Sequence, residues 1–441
     1  MYIHHDLLAR ADTNNPVRVG LIGAGKFGSM FLSQVPTTPG IKVSAIADLH
    51  PDNARLTCKT VGWSDAYIAH TRFSDDALAM MTADDVDVVV EATGNPAVGI
   101  MHARGAFAAG KHIVMVNVEA DVLAGPLLAL EAKDAGVVYS MAYGDQPALT
   151  CELVDWARNC GFEVVAAGKG TKYLPSYHAS TPDTVWDYYG LTAEQAAAAG
   201  MNSQMFNSFL DGTKSALEMA AIANATGLAT PPDGLDFPPC GVDDLAHILR
   251  PREAGGVLHQ KGQVEVVSSM ERDGREVARD LRWGVYVVIE APNDYAAACF
   301  RQYGMNTDAS GRYSAMYKPF HLIGLELNIS ILSAAILGRA TGSTQGFCGD
   351  VVATAKRALN VGERLDGEGG HTVYGKLLPA TTSLAQNALP IGLAHNVVLR
   401  CPIAPGQSIS WDDVEVDASQ DAVRVRREME AHFRTNATIA A

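Results

Sequence analysis

The segment VRVGLIGAGKFGSMF, Val17–Phe31, constrains the fold more than any other part of the 441-residue chain. Val17, Val19, Leu21 and Ile22 read as a buried parallel strand, and Phe27 to Val35 can continue as a helix once glycines have turned the backbone. Strand, glycine-rich turn and helix, in that order, open a doubly wound α/β sheet. Gly23 permits the tight turn, Gly25 lets backbone approach a pyrophosphate, and Gly28 lets the helix lie close to the strand. With Lys26 and Phe27 completing the turn, a phosphate would face the helix N-terminus. A second apolar run, IKVSAIAD, ends in Asp48, twenty residues beyond Gly28, where a carboxylate can accept hydrogen bonds from an adenosine ribose. The pattern predicts a dinucleotide site.

The alternation continues. PDNARL opens a helix, and its Arg55 can reach round to a ribose 2′-phosphate. AYIA reads as a short strand, and the valines of DVDVVVEATGNP suit a strand buried on both faces. Thr93, Gly94 and Asn95 close that strand at its carboxyl end, the side on which open α/β sheets bind ligands. GIMHARGAFAAGKH then reads as a helix, IVMVNVEAD as a strand, LLALEAKDAG as a helix and VVYSMAYGDQP as a strand. The fold class expected is α/β, with an N-terminal Rossmann doubly wound parallel sheet over residues 1–160.

Beyond Gly161 the pattern changes. FEVVAAGKGTKYLPSYH reads as a strand running into a cation-bearing loop, SQMFNSFLDGTKSALEMAAIANATG as a helical segment, and GQVEVVSSMERDGREVARDLRWGVYVVIEAP as strands with a hairpin turn at RDGR. This composition predicts a central α+β substrate domain over 161–350, including a buried helix from His321 to Gly338. A small β-rich domain over 351–441 contains NVVLRCPIAPGQSISWDDVEVD and closes with the helix AVRVRREMEAHF.

Charge and cysteine usage narrow the function classes. A formal net charge of −15 with no basic stripe argues against nucleic acid as a partner. Seven scattered cysteines without a C-x-x-C read as reduced thiols, which places the chain in the cytoplasm. The opening MYIHHDLLARADTNNP has no apolar export core, and the longest apolar stretch is interrupted by Glu326, Asn328 and Ser330, so no membrane span is expected.

VGLIGAGKFG, DVVVEATGNP, GKHIVMVNVEADVLAGP and YGDQPAL resemble the homoserine-dehydrogenase-like oxidoreductases. RCPIAPGQSISWDDVEV looks like a SAF domain, and a chain ending this way is similar to the deoxyxylulose phosphate reductoisomerase-like enzymes. The resemblance covers most of the chain. It implies an NADPH-dependent homodimeric enzyme, with NADH as the alternative, that rearranges deoxyxylulose phosphate into methylerythritol phosphate. Homoserine dehydrogenases carry an aspartate and a lysine four residues apart on a helix, whereas Asp211 and Lys214 here are three apart. Two further readings stay open: reduction of another small aldehyde or sugar acid without rearrangement, and dinucleotide sensing without turnover.

Reduction of a carbonyl needs a cation, donor or metal where negative charge develops, and a sugar phosphate needs cations of its own. The candidate catalytic residues are Asp211, Lys214, Lys318 and His321, and the candidate substrate contacts are Lys169, Lys172 and Tyr317, with Tyr173 nearby. Asp211 and Lys214 can equally form an intrahelical ion pair, and Lys318 and His321 precede an apolar helix that they could cap. A divalent cation is possible, with Asp211, Glu218, Asp243, Asp244 and Glu326 as candidate ligands in no recognisable motif. Asp243 and Asp244 also suit a helix N-cap.

Overall fold

The computed structural model describes residues 3–440, with side chains to residue 435. It divides into two compact units, Met1–Leu149 with His321–Gln345, and Thr150–Phe320 with Gly346–Ala441.

The first unit is built on six strands, β1 (Val17–Ile22), β2 (Ile41–Ala47), β3 (Arg72–Ser74), β4 (Val88–Glu91), β5 (His112–Met115) and β6 (Tyr139–Met141). All pair in parallel, in the order β3-β2-β1-β4-β5-β6. Val19, Leu21, Val43, Val88, Val90 and Val114 are buried in one core, because helices cover such a sheet on both faces and leave no strand position for polar residues. The strand order reverses between β1 and β4, which puts Gly23 and Thr93 together at the switch point.

Three local expectations are corrected here. AYIA lies in a helix, Asp65–Ala69, because Ser64 caps it by accepting the Tyr67 N–H, and the strand follows it as β3. IVMVNVEAD is a strand only to Met115, since Asn117 accepts the Ala120 N–H and starts a helix over Val118–Asp134. The helix expected from His321 begins only at Asn328 and ends as a π-helical turn at Ser333–Leu337. Gly324 explains the delay: its φ is +71°, and its backbone lies against Phe27 and Met30. Leu327, Ile331 and Leu332 then join the core of this unit.

The second unit contains a mixed four-stranded sheet of β7 (Glu163–Thr171), β8 (Gln263–Ser268), β9 (Val285–Glu290) and β10 (Tyr313–Lys318), ordered β10-β9-β7-β8. β7 runs parallel to β8 and antiparallel to β9. The expected RDGR hairpin therefore does not join paired strands, because β7 lies between them, and the turn closes only a Met270–Glu276 bridge. The helical segment over 203–227 is broken into Ser203–Leu210 and Thr213–Thr226, because Gly212 adopts φ +89° between them. Asp211 and Lys214 thus do not share one helix.

Gly346–Ala441 adds β11 (Gly349–Ala355), β12 (Arg364–Asp366), β13 (Val373–Pro379), β14 (His395–Leu399) and β15 (Val414–Glu415), with β11 antiparallel to β13. The helix Asp421–Ala440 is tied to them by Arg426, fully buried and paired with Asp350 at 2.5 Å and Glu430 at 2.9 Å.

Candidate functional site

At the turn after β1, the three glycines perform separate tasks. Gly23 has φ +89°, and a Cβ there would meet the Ala92 carbonyl at 2.8 Å. A Cβ on Gly28 would overlap the Gly23 carbonyl, so this glycine sets the approach of helix to strand. Around Gly25 a Cβ would meet nothing within 4 Å. The Lys26–Gln34 helix starts there without a side-chain cap, leaving its first N–H groups for an anion.

Asp48 stands at the end of β2, and both its oxygens are engaged: Oδ2 accepts the Ala24 N–H and Oδ1 the His50 N–H, each at 2.9 Å. The carboxylate therefore shapes the turn. Arg55 lies with its guanidinium 4.2 Å over the Phe73 ring. At the end of β4, Thr93 donates to the buried Glu91 at 2.5 Å, and Gly94 has φ +71°. Asn95 caps the Pro96–Ala108 helix by accepting the Val98 N–H at 3.1 Å.

The second unit gathers a group of buried charges. Lys169 on β7 pairs with Glu218 on the Thr213–Thr226 helix, and neither is solvent-exposed. Lys214 precedes Glu218 by four residues on that helix and so shares its face. Asp211 pairs with Lys356 at 2.8 Å, a partner that sequence reasoning did not find. Lys356 also donates to the Ser180 and Gly370 carbonyls, each at 2.7 Å, so this pair fastens separate segments together. Burial raises the Asp211 pKa, against the pull of Lys356.

Beside it lies a cavity of about 150 Å³ lined in part by His178, Gly212, Asp233, Phe237, Tyr374 and Lys376. His178 Nδ1 is 2.7 Å from the Asp211 carbonyl, which can only accept, so Nδ1 carries the proton and Nε2 accepts from the Tyr173 hydroxyl at 2.9 Å. Burial lowers the His178 pKa and pushes Tyr173 and Tyr374 up to about 12, leaving a neutral polar wall. The Tyr173 ring stacks on Phe237 at 3.9 Å, and Lys376 pairs with Asp233 at 2.5 Å. His178 and Tyr374 come from distant segments, PSYH and VYGK, and carry no local signal.

The remaining candidates separate. Lys172 donates to the Tyr188 carbonyl at 2.5 Å. Lys318 pairs with Glu152 near the surface, and Tyr317 is exposed on β10. Lys318 closes β10 in the second unit, and His321 opens the stretch His321–Gln345 of the first. Asp243 binds Arg279 at 2.9 Å, Asp244 sits at an N-cap position without a side-chain cap bond, and Glu326 accepts the Leu322 N–H at 3.1 Å. Among the described residues, no group of three or more His, Cys, Asp or Glu is placed to hold a metal ion. The candidate cation thus has no shared ligand set. No helix among them is long and apolar enough to cross a membrane.

Sequence models of three families match the chain. Residues 17–116 match the NAD-binding Rossmann fold of the GFO/IDH/MocA oxidoreductase family, residues 144–327 the catalytic domain of oxidoreductase DRL, and residues 350–415 the SAF domain. Two of the three matched models thus describe oxidoreductase domains, one of them an NAD-binding Rossmann fold. A homoserine-dehydrogenase relationship is not among what these matches show. Comparison of the chain with curated proteins returns no match.

Solved structures similar to it include a 3-ketoreductase from Actinomadura kijaniata in complex with NADP, at 22% identity and TM-score 0.27, covering 36% of this chain and 50% of that one. The chain thus spans about half the length of the 3-ketoreductase it matches. A protein from Sinorhizobium meliloti assigned as a myo-inositol dehydrogenase matches at 14% identity and TM-score 0.34, over 73% of this chain and 90% of that one. Biliverdin reductase from Synechocystis matches at 18% identity and TM-score 0.27, over 40% of this chain and 58% of that one.

Proposed function

We propose that the chain is an NADPH-dependent reductoisomerase that converts deoxyxylulose phosphate into methylerythritol phosphate. The observation that carries this reading is the open space at Gly25, between a strained Gly23 and a tightly packed Gly28, in a chain whose residues 144–327 match the DRL catalytic domain. A dinucleotide would lie with its pyrophosphate against the first turn of the Lys26–Gln34 helix.

NADPH, when bound, supplies the hydride. On the protein side, Lys214 and Lys169 are the proposed charges that steady negative charge on the substrate oxygen, and Glu218 holds the Lys169 ammonium in place. Coenzyme choice rests on Asp48 and Arg55. With both oxygens committed to backbone N–H groups, Asp48 has less to offer a free ribose diol, whereas Arg55 presents a cation for a 2′-phosphate.

The test is oxidation of NADPH by the whole chain with deoxyxylulose phosphate, its dephosphorylated form and a panel of small aldehydes and sugar acids, with and without a divalent ion. Turnover confined to deoxyxylulose phosphate, with methylerythritol phosphate as product, supports the reading. Turnover of an unphosphorylated aldehyde alone replaces it with simple reduction. Dinucleotide binding without turnover of any of them leaves a sensing protein.

A further inference from the structure

Cations in the second unit are commonly answered by a carboxylate: Lys169 by Glu218, Lys356 by Asp211, Lys376 by Asp233, and Arg250 by Asp308. Such lysines are poor seats for a phosphate, because an incoming anion must displace the one already there. Lys172 and Arg282 differ.

Lys172 follows β7, and Arg282 lies in the turn before β9. These segments touch at Gly170, where a Cβ would overlap the Leu281 carbonyl and come within 2.9 Å of the Arg282 N. Gly170 also donates its N–H to the Gly284 carbonyl at 3.1 Å. Burial lowers the Lys172 pKa and the Arg282 charge lowers it further, with Glu276 opposing. Among the described residues, Nζ of Lys172 donates only to the Tyr188 carbonyl, and it lies 5.9 Å from the Tyr189 ring. The Arg282 guanidinium rests 4.7 Å over Trp283, while the Asp280 carboxylate takes the Arg282 backbone N–H at 2.7 Å and makes no ion pair with the guanidinium. Arg282 also acts on Tyr177 and Tyr189, opposing the rise that burial imposes on both hydroxyls.

Two half-buried cations carried on touching segments repel each other, and a phosphate dianion between them removes the repulsion and adds charge-assisted hydrogen bonds. We propose that Lys172 and Arg282 form the seat for the substrate's phosphate, walled by Tyr177, Tyr188 and Tyr189. This rests on the reading of the chain as an enzyme of a sugar phosphate, and it assigns the phosphate to Arg282, which no sequence pattern marks.

The experiment uses the whole chain without coenzyme, titrated with inorganic phosphate and followed by calorimetry and by the fluorescence of the tryptophans, which include Trp283. Binding by the wild type, weakened at least about tenfold in Lys172→Met and in Arg282→Met and partly restored in Arg282→Lys, is the expected result. Folding of each variant is checked by circular dichroism. No binding by the wild type, or unchanged binding in the folded variants, overturns the proposal.

A kinetic arm separates this from the functional reading. If deoxyxylulose phosphate is turned over with wild-type KM by both methionine variants, the seat is wrong and the reaction stands. If phosphate binds at the pair but no sugar phosphate is turned over, the seat stands and the reaction is wrong.

Discussion

Asp211 and Lys356 form an ion pair at 2.8 Å with both side chains buried, although they come from distant parts of the sequence. Gly212 breaks the helix between Asp211 and Lys214, so the acid turns to a lysine that the SAF-containing segment supplies. Removing one partner leaves the other charged and enclosed. Lys356→Met is therefore expected to lower stability by about 3–5 kcal/mol, read from the midpoint of urea unfolding. The double variant with Asp211→Asn should recover part of that loss, and a single variant within 1 kcal/mol of wild type (about the range of a surface pair) would remove the structural role.

Gly25 and Gly28 should separate binding from folding. A side chain at Gly25 enters open space, so Gly25→Val should leave the melting temperature near wild type while abolishing coenzyme binding measured by quenching. Gly28→Val presses on the Gly23 carbonyl and should lower the melting temperature itself. Tight coenzyme binding by folded Gly25→Val would refute the dinucleotide assignment.

Arg55 should govern coenzyme choice. Arg55→Ala is expected to raise KM for NADPH about tenfold, the loss of one charge-assisted contact, and to leave KM for NADH unchanged. An equal change with both coenzymes, or better wild-type turnover with NADH, would place the 2′-phosphate elsewhere.

Stability should fall with pH through Glu265. This side chain is fully enclosed and accepts the backbone N–H groups of Asp236 and Phe237, yet burial pushes its pKa up to about 8 from an ordinary 4.5. Between those values the folded chain holds a proton that the unfolded chain has lost. Unfolding then releases a proton, so stability declines as pH rises from about 4.5 to about 8, by up to about 1.4 kcal/mol per unit. Below the window the contribution is fully present, and above it the decline stops. Glu265→Gln should flatten the unfolding midpoint over this range, and an unchanged slope would assign the dependence to other groups.

Lys214 and Lys318 are predicted to differ. Lys214→Ala should lower kcat/KM at least about tenfold with coenzyme Kd unchanged, as expected for a charge used at the reacting oxygen. Lys318 pairs with Glu152 in partial exposure, and Lys318→Ala should change stability by no more than about 1 kcal/mol. Wild-type kinetics in Lys214→Ala would exclude it from catalysis.

The glycine turn, Asp48 at the end of β2 and the parallel alternation were legible along the chain, because each depends on neighbours within a few residues. Longer apolar runs such as VRVGLI and IKVSAIA mark strands buried on both faces. Short elements were less legible: Ser64 turned AYIA into a helix, and Asn117 ended β5 early, each through one capping bond. Partnership was not legible at all. A lysine paired with a buried carboxylate, such as Lys169 or Lys356, looks the same in sequence as Lys172, whose ammonium donates to the Tyr188 carbonyl. The sequence by itself determined where the backbone must turn and which faces must be apolar. Only the tertiary structure decided which charges neutralise one another, since a pair such as Asp211 and Lys356 exists only after distant segments have closed around it and excluded water.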